Sequence, residues 1–114
     1  MSETRWIRVA ARDSVPPREA RAARIGDREI ALFNLGDRFV AVDNRCPHRG
    51  GPLADGIVAG DSVVCPLHAW KVCLDDGGVR RPADAAACVR TYPTRVEEGV
   101  VWIEVPAPVL HAQP

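Results

Sequence analysis

The sequence has no long apolar run and no excess of charge of either sign. Its 114 residues include 15 basic and 15 acidic side chains, so the formal net charge is zero. Nucleic-acid-binding proteins usually carry a basic excess, and a membrane-spanning helix needs about 20 consecutive apolar residues. We therefore expect neither a nucleic-acid partner nor a membrane span. With no signal-peptide pattern at the start, we expect a cytoplasmic protein.

Stretches that could form a long helix are also scarce, since residues 82–87 could form only a helical turn. Elsewhere, short β-type runs recur about every ten residues, with glycine or proline turns between them. These runs are 6–9, 29–35, 38–43, 57–58, 62–64, 71–74, 89–92 and 100–105. They predict an all-β protein, an antiparallel sandwich or small barrel. We expect one domain at 5–105, an N-terminal extension at 1–4 and a flexible tail at 106–114.

Cysteine is rare, but two of the four cysteines lie close to histidine, as Cys46-x-His48 and Cys65-x-x-His68. Glycine and proline surround both pairs and disfavour regular helix or strand there. Each pair therefore lies in a predicted loop that offers one thiolate and one imidazole. The β-type segment between the pairs can fold back and bring the two loops together. Both ligand types suit transition metals.

Two kinds of metal site accept two cysteines and two histidines. Structural zinc sites usually pair like ligands at short spacing, as C-x₂₋₄-C and H-x₃₋₅-H. In this sequence each loop is mixed, and only one residue separates the first pair. A dinuclear iron–sulfur cluster with two histidines on one iron accepts mixed loops, because the two ligands of a loop can reach different irons.

The motif C-P-H-x₁₆-C-P-L-H resembles that of the Rieske ferredoxin family. The resemblance implies a Rieske-type antiparallel β-sandwich or small barrel with two cluster-binding loops. It also implies that Cys46 and Cys65 bind the inner iron of a [2Fe–2S] cluster, and that His48 and His68 bind the outer iron. No catalytic residues are expected, because such a cluster makes an electron carrier and not by itself an enzyme.

The same resemblance bears on the reduction potential. High-potential members join their two loops by a disulfide at the positions of Gly51 and Leu67, and they place hydroxyl donors at the positions of Trp70 and Val72. Because these four residues offer neither, we expect a potential at the low end of the Rieske range, roughly −150 to 0 mV. A redox titration with a midpoint above about +200 mV would contradict this expectation.

The runs from Cys46 to Val72 and from Cys88 to Val105 resemble the small subunit of assimilatory NAD(P)H-dependent nitrite reductase. That resemblance implies an electron-transfer subunit in nitrate assimilation. Its partner would be a large subunit that holds FAD, a [4Fe–4S] cluster and sirohaem and reduces nitrite to ammonia.

A second interpretation of the resemblance is a free-standing Rieske ferredoxin, which passes electrons from a flavin reductase to an aromatic-ring or related oxygenase. Cys73 fits this reading, because such ferredoxins often have cysteine there. The predicted ligands are common to both readings and do not separate them. Cys73 is expected to be a small buried side chain, and Cys88 a thiol without a ligand role. Arg45 and Arg49 flank the first pair. We expect them to be either solvated charges or part of a docking surface for an electron partner.

Overall fold

The computed structural model describes residues 3–48, 50–67, 69–83, 85 and 87–106. The strands within these ranges are β1 (Thr4–Ala11), β2 (Ala20–Ile25), β3 (Arg28–Asn34), β4 (Phe39–Asp43), β5 (Ile57–Ala59), β6 (Ser62–Val64), β7 (Lys71–Cys73), β8 (Val79–Arg81), β9 (Thr91–Tyr92), β10 (Thr94–Glu97) and β11 (Val100–Pro106). The helical segments in the same ranges are two 3₁₀ turns, Arg12–Ser14 and Leu53–Asp55. The predicted all-β class is confirmed. In the described part of the chain, no helix has the length and apolar character needed to cross a membrane.

The strands form three antiparallel sheets, in the orders β1-β11-β10, β2-β3-β4-β9 and β5-β6-β7-β8. Pro106 ends β11 and pairs with Thr4 of β1. Residues 107–114, most of the predicted tail, lie outside the described residues, so the domain limits stay a prediction. The third sheet contains the hairpin between the two predicted ligand loops.

Strand β3 shows how the layers are arranged. Alternate residues of a strand point to opposite faces, and in β3 both sets are buried. Ile30 and Leu32 pack in one hydrophobic core, whereas Ala31 and Phe33 pack in the other. The sheet that contains β3 therefore has apolar packing on both faces.

The two cores differ in their relation to the predicted site. One contains Val15, Ile30, Leu32, Ala41, Tyr92, Val101, Ile103 and Val105. The other contains Ala31, Phe33, Leu35, Val42, Cys46, Leu53, Val63, Cys65, Val72, Leu74 and Val89. Two of the predicted ligands thus belong to the second core, so the site is built on rigid packing.

Three strands, β2, β8 and β10, were not predicted from the sequence. Each is one of the two edge strands of its sheet, and each contains exposed arginine. An edge strand needs little apolar alternation, and charged side chains at an edge hinder pairing with other chains. The hydrophobic pattern on which strand prediction depends is therefore weak in these segments.

The turn at 75–78 joins β7 to β8 and supports one side of the site. Asp76 accepts hydrogen bonds from the backbone N–H of Gly78 at 2.8 Å and from Arg80 at 2.7 Å. These two donors lower the pKa of Asp76 to about 2. The turn also holds the segment before β9, because Val89 N–H donates to the Gly77 carbonyl at 2.8 Å and Gly78 pairs with Cys88.

Candidate metal centre

The first ligand loop follows β4 and is closed by two backbone hydrogen bonds. Cys46 N–H donates to the Gly51 carbonyl, and Gly50 N–H donates to the Cys46 carbonyl, both at 2.8 Å. Gly50 has φ +73°, a left-handed conformation that suits glycine. Cys46 is only 1% exposed. The loop therefore holds its thiol at the protein interior.

The second ligand loop joins β6 to β7 and repeats this closure. Cys65 N–H donates to the Trp70 carbonyl at 2.7 Å, so in both loops the cysteine bonds to the carbonyl five residues later. Ala69 has φ +59°, which is unfavourable for alanine. Leu67 N–H lies 3.4 Å from the Cys65 sulfur and donates to it.

Gly51 is the point at which the two loops meet. A Cβ added to Gly51 would lie 2.8 Å from the Cys65 sulfur and 3.1 Å from the Leu67 side chain. The positions at which high-potential relatives were expected to carry a disulfide are therefore close together. Leu67 borders this space with an apolar side chain that is 43% exposed.

His48 is held by an aromatic contact across the loops. Its ring stacks on Trp70 with centroids 4.5 Å apart and an angle of 4° between the planes. Its Nδ1 is buried although the residue is only half-buried. The structure thus brings Cys46, His48 and Cys65 to the place where the loops meet. His68 lies outside the described residues.

Asn44 fixes the first loop at both ends and was not singled out in the sequence. Its side-chain amide donates to Glu29 at 3.2 Å, and its side-chain oxygen accepts from Ala54 N–H at 2.7 Å. The Asn44 N–H also donates to the Glu29 carbonyl at 2.8 Å. Its position directly after a strand and before a turn was a possible signal, because asparagine often bonds to nearby backbone there.

A buried polar group lies under the same loop. The Tyr92 hydroxyl donates to Asp43 at 2.5 Å and accepts from Arg28 at 3.0 Å. Burial, together with the hydrogen bond to Asp43, raises the pKa of Tyr92. The phenol therefore stays protonated at neutral pH and links β3, β4 and β9 next to the first loop.

Of the two remaining cysteines, Cys73 lies on β7 and Cys88 lies in the segment before β9. Cys73 is buried, as predicted, and Cys88 is exposed. The sulfur of Cys73 lies within 4.8 Å of oxygens of Asp61 and Asp75. Asp75 pairs with Arg38 at 2.7 Å, so one carboxylate of this group already has a charged partner.

The residues at the junction fit an iron–sulfur cluster. Its ligands must include anionic sulfur, and here two cysteines are held in closed loops, one of them with a backbone donor on its sulfur. Gly51 leaves open the space next to Cys65 that a side chain would fill. A histidine with a buried ring nitrogen adds the imidazole type of ligand.

Trp70 is expected to position His48. Trp70→Ala removes the stacked ring, so the bound cluster should be lost several times faster on incubation with a chelator, measured by the decay of visible absorption. Trp70→Phe keeps an aromatic face, so its bound cluster should keep most of the wild-type lifetime in the presence of the chelator. Trp6→Ala is the matched control, because Trp6 lies on β1 under Arg95. Equal lifetimes for Trp70→Ala and Trp6→Ala would contradict the positioning role.

Comparison with known proteins agrees with an iron–sulfur site in these loops. The 3-phenylpropionate/cinnamic acid dioxygenase ferredoxin subunit of Escherichia coli (strain K12) is 40% identical over 79 residues, which cover 68% of this chain and 73% of that protein. A solved structure from Mycobacterium tuberculosis, named as an NADH-dependent nitrite reductase small subunit, has a TM-score of 0.83 and 30% identity. The match covers 93% of this chain and 99% of that one.

Two longer relatives contain a region similar to this chain. The 4beta-methylsterol monooxygenase of Methylococcus capsulatus is 34% identical over 115 residues, and the nitrite reductase [NAD(P)H] large subunit of Klebsiella oxytoca is 33% identical over 103 residues. The chain spans 30% of the first and 11% of the second. The family model described as the Rieske [2Fe-2S] domain matches residues 5–93. The chain therefore belongs to the Rieske [2Fe–2S] domain family, whose electron-transfer cofactor is a [2Fe–2S] cluster of the Rieske type.

Proposed function

We propose that the chain is the Rieske electron-transfer subunit of an assimilatory NAD(P)H-dependent nitrite reductase, which reduces nitrite to ammonia. The observation that carries this proposal is the match to the M. tuberculosis protein, which extends over nearly the whole of both chains. The similarity of 103 residues to part of a nitrite reductase large subunit is a second support. A cytoplasmic location belongs to the same proposal, because NAD(P)H is a cytoplasmic reductant.

The proposed cluster ligands are Cys46 and Cys65 on the inner iron and His48 and His68 on the outer iron. The burial of both cysteines and the Leu67 N–H donor on Cys65 support the thiolate roles. The buried Nδ1 of His48 is the nitrogen that we assign to iron. The cluster supplies one-electron transfer, and two neutral ligands make it easier to reduce than a four-thiolate cluster.

The protein around the ligands has three tasks in this proposal. The closed backbone of both loops fixes the thiolates and limits rearrangement when the charge of the site changes. Trp70 fixes the imidazole plane of His48. Buried Cys46 and Cys65 lie at the inner side, so the half-buried His48 is the proposed side for electron exit.

The alternative is a free-standing ferredoxin that receives electrons from a flavin reductase and passes them to an oxygenase. It is supported by the similarity to the E. coli dioxygenase ferredoxin subunit, of which the chain covers 73%. This alternative has the same proposed ligands and differs in the electron acceptor. Only the identity of the partner separates the two functions.

The test is reconstitution of the holo-chain with the sirohaem flavoprotein encoded by the same organism. NAD(P)H-dependent formation of ammonia from nitrite should increase when the chain is added, and Cys65→Ser should abolish the increase. A chain that leaves ammonia formation unchanged, but supports oxygen-dependent hydroxylation by an oxygenase of that organism, would refute the nitrite reductase proposal.

A further inference from the structure

A cleft of about 630 Å³ opens next to His48, between the first ligand loop and the segment before β9. Its lining residues are Asp43, Arg45, Cys46, Pro47, His48, Gly50, Cys88, Val89 and Arg90. The floor includes the first ligand pair, and the turn between β7 and β8 holds the opposite wall through Gly77 and Gly78. A group that enters this cleft therefore comes close to the proposed side for electron exit.

The charged walls of the cleft are Arg45 and Arg90, which are both exposed. The Arg45 stem lies against Gly50, and the Arg90 guanidinium lies 5.6 Å from the centre of the Tyr92 ring. The carboxylate in the lining, Asp43, accepts the Tyr92 hydroxyl at 2.5 Å. Among the described residues, the cleft thus has two exposed guanidiniums and one carboxylate that already has a donor.

Some arginines of the described residues are paired with acids. The ion pairs of the described residues include Arg38 with Asp75, Arg80 with Asp76, and Arg95 with Glu97. Across the described ranges, neither Arg45 nor Arg90 is in an ion pair. With Asp43 as the carboxylate of the described lining, the two guanidiniums give the cleft a local positive excess next to the electron-exit side.

We propose that the cleft is the docking site for a carboxylate-bearing segment of the protein with which this chain exchanges electrons. The two guanidiniums would bind the carboxylates, because charge complementarity steers encounter and fixes register. Leu67 is exposed next to Gly51, which follows Gly50 of the lining, and would add an apolar contact. The inference deepens the proposed function, on which it rests for the identity of the partner.

Cys88 allows the charge of the cleft to be measured without a partner. It is exposed and lies in the lining. Its thiolate attacks the disulfide of an aryl disulfide reagent, which forms a protein–aryl disulfide and releases one aryl thiolate. The dianion 5,5′-dithiobis(2-nitrobenzoate) is compared with neutral 4,4′-dithiodipyridine, and the ratio of the two rates cancels changes in the reactivity of the thiol itself.

For the holo-protein we expect Arg45→Glu/Arg90→Glu to lower this ratio about tenfold at low ionic strength, with the effect vanishing at high salt. Arg8→Glu is the matched control, since Arg8 is exposed on β1 in another sheet. Cys88→Ser should remove the fast phase of the reaction with both reagents, which would assign that phase to the Cys88 thiol. A ratio that is the same in the double variant and in Arg8→Glu would overturn the proposal.

Docking is measured by the affinity of the holo-chain for the sirohaem flavoprotein of the same organism. We expect the double charge reversal to weaken binding at least about tenfold and Arg8→Glu less than about twofold. Bound flavoprotein should also protect Cys88 from the neutral reagent. Equal affinity of all variants would overturn the docking site. If the wild-type chain does not bind, the nitrite reductase function fails, and the rate ratio alone decides whether the cleft attracts a dianion.

Discussion

Replacement of Gly51 with alanine is expected to abolish most cluster binding while leaving the fold intact. The new methyl group would lie 2.8 Å from the Cys65 sulfur and 3.1 Å from Leu67, so the sulfur must move. Overpacking of this kind costs about 1–3 kcal/mol, which corresponds to roughly a five- to 150-fold loss in affinity. The measurement is iron and sulfide per chain after anaerobic reconstitution, with circular dichroism to follow the fold.

Gly60→Ala is the matched control for this substitution. Gly60 has φ +62° in the turn between β5 and β6, and a Cβ there would meet no atom within 4 Å. Alanine should cost about 1 kcal/mol of folding stability through backbone strain and leave cluster content unchanged. Equal cluster content in Gly51→Ala and Gly60→Ala would show that the space next to Cys65 is not needed.

Serine substitutions should divide the four cysteines into two groups. Cys46→Ser and Cys65→Ser are expected to reduce bound iron from about two atoms per chain to nearly none, because each removes one of two thiolate ligands. Cys73→Ser and Cys88→Ser should keep about two iron atoms per chain. The measurement is iron content together with visible absorption.

The control within this series is Cys73, because it is buried like the ligands. Its replacement by a polar side chain should lower the melting temperature without removing iron. Loss of iron on substitution of Cys73, with retention in Cys46→Ser, would reject the proposed ligand set and favour a site at Asp61, Cys73 and Asp75.

The sequence predicts the fold class and both loops because their signals are local. Proline and glycine around Cys46 and Cys65 mark loops, and the continuous apolar run at 30–33 in β3 marks a strand. The edge strand β2 was not predicted, since its exposed arginines give no apolar alternation. The closeness of Gly51 to Leu67 follows from the antiparallel return of β5 and β6, which the sequence suggested only in outline.

The supporting contacts of the site could not be predicted from the sequence. Asn44 bonds to Ala54, ten residues later in the chain, and Tyr92 bonds to Asp43 across 49 positions. Such pairs depend on strand register, which a single sequence does not specify. The cleft beside His48 likewise forms only when residues 88–90 are placed against the first loop.

The central claim is that two cysteines and two histidines of these loops bind one [2Fe–2S] cluster. The most direct test is electron paramagnetic resonance of the reduced holo-protein, with pulsed measurement of nitrogen couplings. We predict a signal with an average g below about 2, strong coupling to nitrogens of two histidine ligands, and loss of one coupling or of the cluster in His48→Ala. A protein that contains zinc and gives no paramagnetic resonance signal would contradict the claim. A cluster signal without strong histidine nitrogen coupling would also contradict it.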